Sequence, residues 1–369
     1  MTIFQIFRGI NYYLIIHFLL ISSAGFSVTA IGQDDQIASS SLILRIKQAF
    51  HNTLENSLDS LEPTQRVSLI RAYEKQLDNI SSKISRVEYL DEKIEIAWRY
   101  MNAYDFQGAK QAYENIAQME PNSKYAARAY LNRAWITAFN ERQYSLAVPE
   151  LKKSLEISEQ LRKVPVDEFY DREVSGLTGS ALSTLGDLYF YLGRSDESIE
   201  VFEYLLSQPD VVQVASEAQL RNANSSLGRR LSEKGEFERA VHYFRATDKL
   251  AQASTTLPLN MKIGYAMEFF DALGETKELS EQERILYLKE LWMAYRDHKS
   301  IDALRVGNTL ALSYFFSEEA ELRKKFWAFA NELQDFTAEL RQSKGINEND
   351  WLTIYSITQQ ISLLQAEHA

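Results

Sequence analysis

The chain has 369 residues, 45% hydrophobic and 25% charged, a balance that suits a folded protein with a large core and argues against disorder. Its formal net charge of -11 disfavours nucleic acid or an anionic lipid surface as the main ligand, because both are polyanions. The lack of cysteine excludes a disulfide framework, a thiolate metal site, a cysteine nucleophile and the residue a bacterial lipoprotein would acylate.

Only 6 prolines and 14 glycines interrupt long stretches rich in Ala, Leu, Glu, Lys, Gln and Arg, and alternating Val/Ile/Thr runs are missing. An all-α chain is expected. Residues 1–30 differ from the rest: one charge, Arg8, then the apolar "YLIIHFLLISSAGFSVTA", then the acidic "IGQDDQ". Val28 and Ala30 place small residues where a signal peptidase needs them, so residues 1–30 read as a secretory signal cleaved near Ala30. The alternative is an uncleaved anchor, since Tyr12–Ala30 is long enough to reach across a bilayer. An exported chain of this size without cysteine points to a bacterial envelope, hence a periplasmic or secreted location.

Residues 31–89 read as an N-terminal helical segment. Within it Ile70, Tyr73, Leu77, Ile80, Ile84 and Val87 recur at steps of three and four, a heptad-like seam within 67–90. Such a seam either assembles copies into a homo-oligomer or folds back on the apolar side of Leu42–Leu61.

The stretch "LSTLGDLYFYLGRSDESIEVF", Leu182–Phe202, reads as helix yet carries Gly186 well inside the pattern. A mid-helix glycine costs about 1 kcal/mol relative to alanine. Leu185, Gly186, Gly193, Ile199 and Phe202 recur 42 residues later as Leu227, Gly228, Gly235, Val241 and Phe244. The repeat reads as a helix hairpin: the first glycine admits a neighbouring helix, and the second punctuates the turn. Burying a Leu or Phe contributes about 1.5–3 kcal/mol, enough to offset the glycine.

These residues resemble the tetratricopeptide repeat, W-x2-L-G-x2-Y then A-x3-F then P. Leu182, Leu185, Gly186 and Tyr189 fit the first helix, Ser198 and Phe202 the second with Ser in the Ala place, and Pro209 comes one residue early. The next copy has Leu227, Gly228, Leu231, Ala240 and Phe244 without the closing proline. Upstream, Ala97, Tyr100, Ala109, Tyr113 and Pro121 fit one unit, and Leu131, Ala134, Trp135, Ala138, Ala147 and Leu151 a weaker one. Four units thus cover about 90–250 as a helix-hairpin solenoid. The equivalent Ala109, Ala147, Ser198 and Ala240 stand 38, 51 and 42 residues apart, against about 34 in the family. Either the helices are longer or the connections carry inserts, the largest being 159–176. Residues 251–369 keep helical periodicity and read as further hairpins, with a final helix, N-capped by Asp350, as the polar cap a solenoid needs.

Catalytic constellations are not apparent. The five histidines stand apart without metal-ligand spacing, and there is no nucleophile elbow, phosphate-binding glycine loop or H-E-x-x-H. No cofactor and no enzymatic activity are expected. The resemblance implies instead that the first helices of successive hairpins line a groove for a protein or peptide partner. Carried onto this sequence, that face takes Trp98 and Met101 from the first unit, Asn132 and Phe139 from the second, Ser183, Asp187, Phe190 and Tyr191 from the third, and Asn222, Ser225 and Arg229 from the fourth. The family's terminal-carboxylate clamp is absent, since Ile94, Trp98, Ser183 and Asp187 stand at its positions. The expectation is a scaffold or adaptor binding another envelope protein; the alternatives are an oligomer built on the 67–90 seam and a cell-wall polysaccharide enzyme.

Overall fold

The computed structural model describes residues 61–276, 279–342 and 348–367; the expected signal segment and residues 31–60 lie outside them. Every regular element among the described residues is helical. They fall into two compact units that divide between Pro165 and Val166. The first holds α1 (Pro63–Ile80), α2 (Arg86–Asn102), α3 (Phe106–Met119), α4 (Lys124–Trp135), which runs on into a π-helical turn (Ile136–Asn140), and α5 (Tyr144–Arg162). The second holds α6 (Glu168–Tyr191), α7 (Ser195–Leu206), α8 (Pro209–Val214), α9 (Glu217–Glu233), α10 (Phe237–Ala253), α11 (Leu259–Gly274), α12 (Glu281–Tyr295), α13 (Ile301–Phe315), α14 (Ala320–Gln342) and α15 (Glu348–Glu367). Within each unit helices pack in pairs, giving the hairpins α2/α3 and α4/α5 in the first and α6/α7, α9/α10 and α13/α14 in the second. Each unit is built from the all-α helix hairpins expected from the repeats.

The stripe from Ile70 to Val87 is not one seam. α1 ends at Ile80, a 3-10 turn takes Ser81–Lys83, and Ile84 is extended. Ser85 then caps a new helix: its hydroxyl accepts from Glu88 N while the Glu88 side chain accepts from Ser85 N, a reciprocal capping box. Ile70, Tyr73 and Leu77 are buried on α1, whereas Val87 is exposed on α2. Polar pairs hold α1 antiparallel to α2: Tyr73 donates to Glu92 (2.7 Å), Lys93 bridges Glu74 (3.1 Å) and Asp78 (2.7 Å), and Tyr100 donates to Glu74 (2.9 Å).

The first four of these hairpins turn in the same way. Tyr104, Arg142, Gly193 and Gly235 have φ of 61°, 58°, 70° and 77°, and the N–H of the residue after each reaches back to the preceding helix. Asp105 N bonds Tyr100 O (2.9 Å), Arg194 N bonds Tyr189 O (2.8 Å) and Glu236 N bonds Leu231 O (2.8 Å), the closing bond of a left-handed helix C-cap. In α4 the same bond runs from Gln143 N to Thr137 O and spans one residue more, because the π-helical turn inserts it.

The glycine inside the first helix is explained by the second. A Cβ on Gly186 would stand 2.7 Å from the Phe202 ring, and one on Gly228 would stand 3.0 Å from the Phe244 ring. Each ring occupies the space a side chain would take. Ser198 adds a buried hydrogen bond to the Gly186 carbonyl (2.8 Å).

The long interval between the second and third units comes from longer helices. α5 runs to Arg162, and α6 starts at Glu168 behind an Asp167 N-cap that accepts from Tyr170 N (2.8 Å). The extra length of α6 is covered by α8: Val211 is fully buried against Gly179, and Ser175 donates to Asp210 (2.8 Å). Beyond Ala253, Trp292, Phe326, Phe329 and Leu333 join α12, α13 and α14 in one apolar core. The last helix corrects the expectation of a polar cap. α15 begins at Glu348, so Asp350 lies inside its first turn, and although Ile354, Ile357 and Ile361 are buried, Trp351, Leu352, Tyr355 and Leu363 are exposed.

Candidate functional site

In the second unit α6 and α9, the first helices of two successive hairpins, and α11, which follows them, are joined by a row of side-chain hydrogen bonds. Gln219 donates to Ser180 (3.0 Å), Asn222 donates to Asp187 (3.2 Å), and Ser225 and the Arg229 Nε both donate to Glu268 (3.2 and 3.1 Å). Because these partners lie 35 to 43 residues apart in sequence, the row fixes each of these helices against the next. Asp187, Asn222 and Arg229, expected on the groove face, all take part in it. Glu268, which the sequence reading did not single out, is their acceptor on α11.

Asp187 is only partly open to solvent, and burial pushes its carboxyl up from 3.8 to about 6, with the Asn222 amide and the Arg230 charge opposing the rise. Phe190 and Tyr191 pack against each other (5.3 Å between rings), but their roles differ. The Arg230 guanidinium of α9 lies 3.3 Å over the Phe190 ring, and its Nη1 also holds Glu233, so Phe190 locks α6 to α9. Tyr191 stays 53% exposed. Ser183 is half-buried beside this row on α6.

In the first unit Trp98 of α2 is 46% exposed while its neighbours Ile96 and Ala97 are fully buried. Met101, one turn on, is half-buried. Asn132 is half-buried against Tyr113 of α3, whose phenol burial pushes up to about 12 and whose rise Asn132 opposes. It serves the core as much as the face. Phe139 sits in the π-helical turn and packs on Trp135 (5.5 Å between rings), which is 42% exposed. Trp135 belongs to the repeat pattern, and its spacing of four from Phe139 is the signal that places both on one side of the helix. Among the described residues no group of His, Cys, Asp and Glu could hold a metal ion, and no helix is long and apolar enough to cross a membrane.

Comparison with family models finds one match. The tetratricopeptide-repeat family model matches residues 179–207, which span the second half of α6, the turn at Gly193 and all of α7. Among curated proteins none matches the chain. Similar solved structures include the tetratricopeptide sensor-bearing signal-transduction ATPase of Pyrococcus horikoshii (16% identity, 91% of this chain and 50% of that one, TM-score 0.49). Others are pilF of Pseudomonas aeruginosa (15%, 75% and 98%, 0.43) and YrrB, described as a TPR protein with an unusual peptide-binding site (14%, 68% and 99%, 0.42). The α6/α7 hairpin thus matches a tetratricopeptide repeat, and the α9/α10 hairpin that follows it has the same glycine recess and the same turn.

Proposed function

We propose that this chain is a non-enzymatic adaptor of the bacterial envelope, exported by its first thirty residues, which holds another envelope protein or peptide on the exposed face of its first helices. The observation that carries the reading is the arrangement of α6, α9 and α11. Their hydrogen-bonded row spends its polar groups on fixing the helices side by side, while Tyr191 stands out from that face. Trp98 and Trp135 stand out in the same way from α2 and α4. Large aromatic side chains with few rotors are the usual anchors of protein interfaces, since they bury much area at little entropy cost. Export is supported by the charge, apolar run and small residues of 1–30.

Replacing Trp98, Trp135 and Tyr191 together by alanine tests the reading. The expected outcome is loss of partner capture from an envelope extract, with the helical circular dichroism unchanged, because all three side chains are 42% exposed or more. Undiminished capture by the triple variant contradicts it.

A further inference from the structure

Two opposite charges on α12 take no ion pair or hydrogen bond among the described residues: Glu281 and Arg284. They stand three apart on one helix, a spacing at which Asp302 and Arg305 pair (3.1 Å) and Glu321 and Lys324 pair (2.6 Å) in the same unit. Arg284 instead turns onto the Phe270 ring of α11 (5.4 Å to the centroid), with its Nε buried and unbonded. Gly274 makes room for it: a Cβ there would stand 3.2 Å from a guanidinium nitrogen. Asp271 interacts with it electrostatically but makes no hydrogen bond to it.

Both charges line one cavity of about 320 Å³ between α11, α12 and α13, a volume at the small end of ligand pockets. Phe270 and Ile285 form its apolar floor, and Leu312 with the exposed Phe316 forms its lip. Thr309 and Ser313 face it from α13. Their hydroxyl protons are committed to carbonyls of their own helix, Arg305 O (3.0 Å) and Thr309 O (2.8 Å), so each oxygen presents lone pairs only. The cavity therefore offers a guanidinium to a carboxylate, a carboxylate and two acceptors to an ammonium, and an apolar wall to whatever lies between.

We propose that this cavity binds a free α-amino acid with an apolar side chain. The α-carboxylate lies on Arg284, where a guanidinium matches it with two parallel donors. The α-ammonium lies on Glu281 and the Thr309 and Ser313 oxygens, and the side chain rests on Phe270 and Ile285. A peptide terminus would bring only one of the two charges, so both groups are needed for full affinity. The site is separate from the face on α6, α9 and α11, and does not depend on the proposed partner binding there.

Calorimetric titration of the full chain with L-leucine and L-phenylalanine tests it. The expected result is saturable binding that weakens about tenfold or more, equivalent to about 1.4 kcal/mol, for L-leucinamide and for N-acetyl-L-leucine, each lacking one charge. Arg284→Gln is expected to weaken leucine by a similar factor, while Glu281→Gln weakens leucine and leaves N-acetyl-L-leucine unchanged. Both substitutions sit at the cavity surface, and an unaltered melting temperature shows that either variant is folded. No binding at millimolar leucine by the folded wild-type chain overturns the proposal, as does binding indifferent to Arg284→Gln. Leucine and N-acetyl-L-leucine binding equally would overturn the ammonium subsite and point to a peptide carboxyl terminus instead.

Discussion

The hairpins α6/α7 and α9/α10 use their inner glycines alike, and the helices after them do not. In the first pair of hairpins a phenylalanine from the second helix fills the recess above the glycine of the first. Gly264 of α11 stands 36 residues after Gly228, close to where the next such glycine would be sought, yet it is exposed and nothing lies within 4 Å of a Cβ placed there. The recess reappears at Gly307 of α13, filled from two sides by Trp292 of α12 and Leu333 of α14. A glycine in a repeat thus keeps its meaning only while the ring opposite it is kept. Once a tryptophan from a neighbouring hairpin takes the space, the core becomes a shared cluster instead of a series of separate contacts.

The largest expected effect breaks the first half of this comparison. Gly186→Ala gains about 1 kcal/mol of helix propensity but drives a methyl to 2.7 Å from a fully buried ring, so a net loss of about 1–3 kcal/mol is expected in urea unfolding. Shrinking the ring in the same chain with Phe202→Leu is expected to recover part of that loss. Additive penalties from the two substitutions would mean they do not share the space. The opposite sign is expected at Gly264→Ala, where nothing opposes the methyl: a gain of up to about 1 kcal/mol. A destabilised Gly264→Ala chain would contradict the open environment described for α11.

A smaller effect concerns the row that joins α6 to α9. Asp187 holds its proton more tightly folded than unfolded, since burial lifts its pKa from 3.8 to about 6. The folded state then binds more protons across that window, so the contribution of Asp187 to stability is full below about pH 4, falls as pH rises to about 6, and is constant above. Burial also raises Asp248 and Asp271 in the same unit, so the informative quantity is the difference between wild type and Asp187→Asn. The Asn chain is expected to gain on wild type between pH 4 and 6 in thermal melts. A difference independent of pH would place Asp187 in solvent.

The repeats were legible where sequence and packing share one cause. Gly186 with Phe202 and Gly228 with Phe244 recur in sequence because each pair fills one space, and Gly193 and Gly235 recur because their turns need φ of 70° and 77°. The first two hairpins make the same turn with Tyr104 and Arg142, so a search for glycine does not find them. The π-helical turn at Ile136–Asn140 was equally hidden, since one inserted residue leaves apolar periodicity nearly intact while it lengthens the closing bond of the turn, Gln143 N to Thr137 O, by one residue. The 70–87 stripe misled for a related reason. Steps of three and four continue across Ser81–Ser85, but the Ser85 and Glu88 pair starts a new helix there. Of the hydrogen-bonded row, repeat register pointed to Asp187, Asn222 and Arg229, whereas Glu268 lies outside the four recognised units and no sequence pattern marks Arg230, which lies over Phe190.

The central claim is that the first helices present a face to a partner while the opposite side of the hairpins does not. Photo-crosslinking in intact cells tests it position by position, with the reactive residue placed in turn at Trp98, Trp135 and Tyr191 and, as exposed positions off that face, at Tyr104 and Tyr204. The expected result is one discrete crosslinked species shared by the first three positions and absent from the other two. Equal crosslinking from all five, or a discrete species from Tyr104 and Tyr204 alone, would contradict the assignment of the binding face.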